Sequence, residues 1–375
     1  MNTPAASATS HGSRRGPRPR RSRPGSPGKS GAETITQINS QVSEYALSYV
    51  LTTYNKLPYL KQVVERLVAA RQPDEEIVVA DGGSKDGTPE YLQGLFDAGL
   101  IQQYVSERDK GEAHGFNKAM LRARGALLKL VTDDDAFSYA AIGEAKRFML
   151  AHPEVDVLTG NTGLIHLEKL ESATLYDDVA ENFRRWLDHQ EVVWMIGLPL
   201  IIRRSSLALT GLFHTGVVQV DTEFTYRITS LNVNLAWSTA MLSVRLENPQ
   251  SNFRVMNQGR VADASTQESN RMRFYYDKRI GNSFRDFVHH KSGWVEQLKK
   301  PLRPVKRALF SALGRSQYAG NPQLPTGYVA GPVPLDDVAR LPIAFAVADQ
   351  LMADYNAAHP TEFLFKNSQL TKALS

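Results

Sequence analysis

No cysteine occurs in the 375 residues. That absence excludes a disulfide framework and any thiolate metal site, and it fits a reducing compartment. Long apolar runs are missing too. The longest, "VVWMIGLPLII" at 192–202, is broken by Gly197 and Pro199 and is too short to span a bilayer. No apolar segment lies near the first residue, so a secretory signal is not expected. Residues 1–31 contain neither an acid nor an aromatic ring. They carry Arg14, Arg15, Arg18, Arg20, Arg21, Arg23 and Lys29, so +7 sits here against a net charge of +5, leaving −2 for the rest. The basic character therefore belongs to the tail.

Residues 1–40 are rich in Ser, Pro, Gly and Arg and cannot bury enough apolar surface to order themselves; a disordered basic tail is expected. Without aromatics to stack on bases, nucleic acid is not expected as its partner. "GSPGKSG" has the look of a phosphate loop but fails as one. The first glycine of that motif would fall on Arg23, and no apolar strand precedes it.

From Tyr45 the pattern alternates. "LSYVLTT" (47–53), "EIVVAD" (76–81), "IQQYV" (101–105) and "GALLKLVT" (125–132) read as strands. Between them, Leu60, Val63, Val64, Leu67 and Val68 recur at helical spacing behind Pro58, a second helix is expected behind a Thr88 cap, and a third over about 115–124. This βαβα order predicts an α/β fold: a Rossmann-like, mostly parallel sheet flanked by helices. Such sheets bind ligands at the carboxyl ends of their strands. Three chemically rich segments fall there: "TTYN", "DGGSKDG" and "TDDD".

The last of these is the sharpest. Asp133, Asp134 and Asp135 follow an apolar strand directly. Neighbouring like charges at roughly 5 Å cost about 3 kcal/mol per pair at an effective dielectric near 20. One aspartate would suffice to cap the following helix; three call for a cation. Strand alternation would put Asp133 and Asp135 on one side and Asp134 on the other. Either way the oxygens suit Mg²⁺ or Mn²⁺, which could bridge to a diphosphate.

"SYVLTTYNKLPYL", "EIVVADGGSKDGT", "SERDKGEAHGFNKAM" and "LLKLVTDDDAF" stand in the order and spacing of the opening motifs of family-2 glycosyltransferases, which the chain resembles over residues 46 to about 252. The resemblance implies a GT-A fold, a nucleotide-diphospho sugar as donor, UDP-linked by preference, and transfer with inversion. It implies a nucleotide site from Thr53, Tyr54, Asn55, Asp81, Gly83, Ser84, Asp109, Lys110, Asn117, Lys118 and Asp133, with Asp81 on the base. It also implies Mn²⁺ or Mg²⁺ on Asp134 and Asp135. The family's D-x-D would begin at Thr132, which is not an acid. Further on, "GLPLIIRRSSLALTGLFHTGVVQVDTEFTYRI" resembles the acceptor half. Asp221 is the candidate general base, Glu223 the fallback, and Arg227 matches the family's arginine. "ENPQSN" (247–252) has Asn248 where many members carry a histidine; His214 is a stand-in ligand candidate, although a lone loop histidine is more often plain polar surface.

The resulting organisation is a tail over 1–40, a glycosyltransferase domain over 45–252, and a mainly helical C-terminal extension over 253–375. The extension includes a basic amphipathic helix at 303–314, where Val305, Ala308, Leu309, Ala312 and Leu313 form one stripe. The expected protein is a cytoplasmic enzyme touching the inner membrane surface through 285–315 and acting on a glycan or lipid-linked acceptor. Two alternatives come from other classes. A sugar-nucleotide nucleotidyltransferase would need a Gly-rich loop with an arginine after the first strand, which "TTYNKLP" lacks. A non-enzymatic membrane- or nucleic-acid-binding protein would depend on the tail and not on the acidic triplet.

Overall fold

A computed structural model describes residues 44–231, 233–248, 262–279 and 337–366. The expected basic helix at 303–314 and the tail lie outside them. β1 (Tyr45–Thr53), β2 (Glu75–Asp81), β3 (Gln103–Ser106) and β4 (Gly125–Val131) form a parallel block in the order β3-β2-β1-β4. The helices between them are α1 (Leu57–Ala70), α2 (Thr88–Asp97) and α3 (Glu112–Arg122). β2 is buried along its whole length, as a strand inside a two-sided sheet should be, with Ile77–Ala80 apolar between buried acids. α1 buries Leu60, Val63, Val64 and Leu67, the positions its periodicity marks. The α/β sheet with flanking helices is the one expected.

One local expectation is corrected. Thr88 is the first helical residue of α2 rather than its cap. Asp86 takes the capping role, accepting from the Thr88 N–H at 3.2 Å and its hydroxyl at 2.7 Å, because Gly87 can turn the chain at φ +92°.

The other half of the sheet explains where the site sits. β8 (Ile201–Arg203) pairs antiparallel with β4, Lys129 opposite Ile201, so the chain entering β8 arrives at the edge where β4 ends. β6 (Val157–His166) runs antiparallel to β8 and parallel to β9 (Leu235–Glu247), so both finish at that edge too. β5 (Ala136–Phe137) pairs with β9, while β7 (Lys169–Leu175) pairs with β6. α4 (Tyr139–Ala151) begins at Ser138, whose hydroxyl caps Ala141; the aspartate triplet does not cap it. α5 (Asp177–His189), the short α6 (Leu207–Thr210) and α7 (Val220–Ser230) follow. α8 (Ala262–Tyr276) packs on α7. α9 (Asp337–Ala358) and β10 (Phe363–Phe365) close the sheet against β9. The main hydrophobic core runs from Leu47 to Tyr355, and Val192, Tyr226 and Met272 form a second, small cluster where α8 meets α7.

Candidate active site

A cavity of about 420 Å³ opens at the common edge. Its walls come from the ends of β1 and β4, the loop before α3, the segment before β8, the start of α7 and the end of β9. Of the expected site residues, Thr53, Tyr54, Asp109, Asp133, Asp134, Asp135 and Asp221 line it. Tyr54 is 59 % exposed at the rim.

The triplet does not alternate as a strand would. β4 ends at Val131, so the period of two lapses before the acids begin. Asp133 and Asp134 converge on one partner: the Lys56 ammonium lies 3.5 Å from Asp133 Oδ1 and 2.6 Å from Asp134 Oδ2. Asn248 donates to that same Asp134 oxygen at 3.0 Å, from the position where many family members carry histidine. Asp135 turns the other way, accepting from the Thr132 hydroxyl at 2.6 Å and the Leu246 N–H at 2.8 Å. All three are buried; Lys56 faces Asp133 and Asp134, Arg245 acts on Asp135, and two cations do not balance three carboxylates. Burial, with Asp134 beside it, pushes Asp133 up to about 6 against the pull of Lys56. Burial and the Asp134 charge push Asp135 up to about 7. Burial opposes the charge on Lys56, but the carboxylates outweigh it and hold the ammonium well above its usual value.

Among the described residues, no three His, Asp or Glu side chains converge closely enough to hold a metal ion. The donor set nonetheless fits Mg²⁺ or Mn²⁺ in the mode where one or two carboxylates share the ion with substrate oxygens and water. The excess negative charge on Asp133–Asp135 favours it. His214 is not drawn in; its Nδ1 accepts from the Gly216 N–H at 3.0 Å.

Several other expected nucleotide residues frame the cavity without lining it. Asp81 is fully buried. It accepts from the Ser84 hydroxyl at 2.5 Å, the Ser106 hydroxyl at 2.6 Å and the Gly83 and Ser84 N–H groups, which stiffens the turn where Gly83 takes φ +84°. Asn55 ties that turn to β1, accepting from Lys85 N–H at 2.8 Å. The Lys110 N–H donates to His114. Lys118 reaches the Glu107 carbonyl at 3.0 Å. Asn117 clasps the Phe213 backbone from both sides, at 2.8 and 2.9 Å, and so fixes the loop whose Phe213 faces the cavity.

The two acids of α7 separate clearly. Asp221 lines the cavity, with Oδ2 accepting from the Gly197 N–H at 3.2 Å and Oδ1 from the Thr222 N–H at 2.7 Å. Burial raises its pKa; the two N–H groups and Arg245 pull the other way. Glu223 faces away. Arg227 holds it with two bonds of 3.0 Å, and the Tyr276 hydroxyl donates to it from α8. Arg227 also donates to the Thr210 and Leu212 carbonyls, so the family's arginine braces a loop. Sequence reading did not single out Lys56, Trp194 or Arg245, all of which line the cavity. Lys56 follows the "TTYN" motif directly and could have been paired with the triplet on charge alone.

A carboxylate-lined cavity at the carboxyl ends of the strands is where an α/β sheet binds its ligand. Residues 48–187 match the model of Glycosyl transferase family 2, and that match supports a glycosyltransferase. TuaG of Bacillus subtilis (strain 168), named as a teichuronic acid biosynthesis glycosyltransferase, is 27 % identical over 146 residues, 36 % of this chain and 57 % of TuaG. The uncharacterized glycosyltransferase alr2836 of Nostoc sp. (strain PCC 7120 / SAG 25.82 / UTEX 2576) is 21 % identical over 141 residues, 36 % of this chain and 44 % of that protein. The chain thus spans about half the length of these relatives. Among solved structures, the mannosyltransferase PcManGT from Pyrobaculum calidifontis with GDP-Man and Mn²⁺ matches at 17 % identity and a TM-score of 0.49, covering 84 % of this chain and 85 % of that one.

Proposed function

We propose that this protein transfers a sugar from a nucleotide-diphospho sugar, UDP-linked by preference, to a hydroxyl of a glycan or lipid-linked acceptor, with inversion at C1. The observation that carries the reading is the pairing of functions around one cavity: Asp133–Asp135 with Lys56 on one wall, Asp221 on another. The Asp221 carboxylate takes the proton of the acceptor hydroxyl. That oxygen attacks C1, the bond from C1 to the diphosphate oxygen breaks, and the nucleoside diphosphate leaves. Burial, by raising the Asp221 pKa, makes it the stronger base. Asp134 and Asp135 would hold Mn²⁺ or Mg²⁺, which neutralises charge on the diphosphate when bound. Thr53, Tyr54, Asn55, Asp81, Gly83, Ser84, Asp109, Lys110, Asn117 and Lys118 form or frame the nucleotide side. In this reading residues 45–252 are the catalytic domain and 253–375 its extension. The enzyme works in the cytoplasm and touches the inner membrane surface through 285–315, residues outside those described. No helix among the described residues is long and apolar enough to cross a membrane.

The test is a hydrolysis and thermal-shift screen of UDP-, GDP- and dTDP-sugars with Mn²⁺. One nucleotide class should raise the melting temperature, and Asp134→Ala should remove the Mn²⁺-dependent part. No shift with any of the three would sink the reading. Asp221→Asn should lower kcat by about 10² to 10⁴ while the nucleotide still binds.

A further inference from the structure

Lys129 stands in the middle of β4, in the apolar run that leads to the triplet, and is completely buried. Its amine donates to two backbone carbonyls, Leu130 on its own strand at 2.6 Å and Leu198 on the segment entering β8, and lies 4.7 Å above the Phe137 ring. Burial drives its pKa well below the usual lysine value, with Asp135 opposing. The two carbonyls together fix where the amine sits.

What Leu198 belongs to gives this contact a use. Residues 193–197 run along α7, and alternate N–H groups meet oxygens spaced four apart on the helix. The Val193 N–H reaches Thr229 Oγ1 and the Met195 N–H reaches Thr225 Oγ1, both at 3.2 Å. The Gly197 N–H reaches Asp221 Oδ2, also at 3.2 Å. The match is metric. Two residues of extended chain rise about 6.7 Å, and four of helix about 6 Å. Each threonine can accept from the segment because its own hydroxyl donates back along the helix, Thr225 to the Asp221 carbonyl at 2.8 Å and Thr229 to the Thr225 carbonyl at 2.7 Å. At Gly197 the packing is tight: a Cβ there would stand 2.8 Å from Asp221 Cβ. The ladder thus ends on the carboxylate that lines the cavity. At the next residue Lys129 donates to the Leu198 carbonyl. Pro199 follows and has no N–H for a sheet bond, so the side chain of Lys129 supplies a tie to β4 where a backbone donor is missing.

We propose that Lys129 is a positioning residue for Asp221. Through the Leu198 carbonyl it holds the 193–197 segment in the one register that presents the Gly197 N–H to the carboxylate and aims that carboxylate into the cavity. The inference rests on Asp221 being the acceptor-side base.

The experiment compares Lys129→Met, Thr225→Val and Asp221→Asn in the full-length protein, using the donor found active in the screen. Kinetics are read against pH, and nucleotide binding by thermal shift. Lys129→Met keeps the stem and removes the donors. Its kcat should fall about 10², the scale of a misplacement near 1 Å, with donor KM and nucleotide binding within about two-fold of wild type. The acid limb of the kcat profile should move to higher pH, because a carboxylate that loses an N–H partner titrates higher. Thr225→Val removes one rung without touching the β4 core and should shift kcat and the limb in the same sense. This second variant decides the question if Lys129→Met fails to fold. A kcat within two-fold of wild type and an unmoved acid limb, in whichever of the two folds, overturn the proposal. Full activity in Asp221→Asn would instead overturn the base assignment, which separates the two failures.

Discussion

At the scale of single residues, the triplet's need for a cation is met first from within the chain, by Lys56. Its side chain and that of Asp134 are 12 % and 11 % exposed, so water screens the pair little. Removing one partner of a buried pair typically costs on the order of 3–5 kcal/mol. Lys56→Met should therefore lower the denaturant midpoint markedly in metal-free buffer, and Mn²⁺ with the nucleotide should restore part of it; an unchanged midpoint would mean the ammonium is not needed. The shifted acids add a pH signature. Asp133 and Asp135 titrate near 6 and 7 folded, against about 3.9 unfolded. Between those limits the folded form binds more protons, so these groups stabilise the fold as pH falls from 7.5 toward 5. Without metal, urea unfolding should show that gain in the wild type and a smaller one in Asp135→Asn. Equal pH slopes would place the shift elsewhere. Glu223→Gln tests the proposed division between the two acids of α7. It should destabilise the protein through Arg227 and Tyr276, yet leave kcat within a few-fold, whereas Asp221→Asn should not.

At the scale of elements, the parallel half of the fold was legible because each strand and helix there carries its own period. β2 is a continuous buried run, and α1 and α3 repeat at 3.6. What could not be read was anything set by partners distant in sequence. "VVWMIGLPLII" showed only as an apolar run. Its residues 193–197 are an irregular segment on α7, bonded to Thr225, Thr229 and Asp221, about 30 residues away, and Ile201 and Ile202 begin β8. The same holds for β9, thirteen residues long and buried almost throughout, whose parallel neighbour β6 lies some 80 residues upstream. The candidate site was legible as types of residue at strand ends. Which of them face the cavity was not, since that depends on β4 stopping at Val131 and on α7 placing Asp221 and Glu223 on different faces. Gly197 is where element packing and chemistry meet. Gly197→Ala should push Asp221 aside and cost activity well out of proportion to stability, measurable as kcat against the melting temperature.

At the scale of the whole molecule, the sheet is completed by residues far from the matched family span. Leu341, Phe345, Leu351 and Met352 of α9 are buried, Arg66 of α1 stacks 4.9 Å over Phe345, and it pairs with Asp349 at 2.9 Å. The register of β6 against β9 shifts at Gly160 and Asn161, and the C-terminal segment repairs that irregularity. Asn356 accepts from the Met241 N–H at 2.7 Å and donates to its carbonyl at 3.1 Å, and Thr239 bonds the Glu362 backbone at 3.0 and 2.8 Å. Burying four large apolar side chains is worth roughly 6–12 kcal/mol, comparable with the 5–15 kcal/mol that holds a typical domain together. The catalytic domain proposed for 45–252 should therefore not fold cooperatively on its own. A chain ending at residue 336 should lose its sharp denaturant transition and its nucleotide-induced thermal shift together. Asn356→Ala gives the graded version: it leaves the core in place, orphans the Met241 backbone groups, and should cost about 1–3 kcal/mol. If the truncated chain still unfolds cooperatively and binds the nucleotide, α9 is an attachment to a finished domain; if it does not, the cavity edge of the sheet depends on α9 and β10.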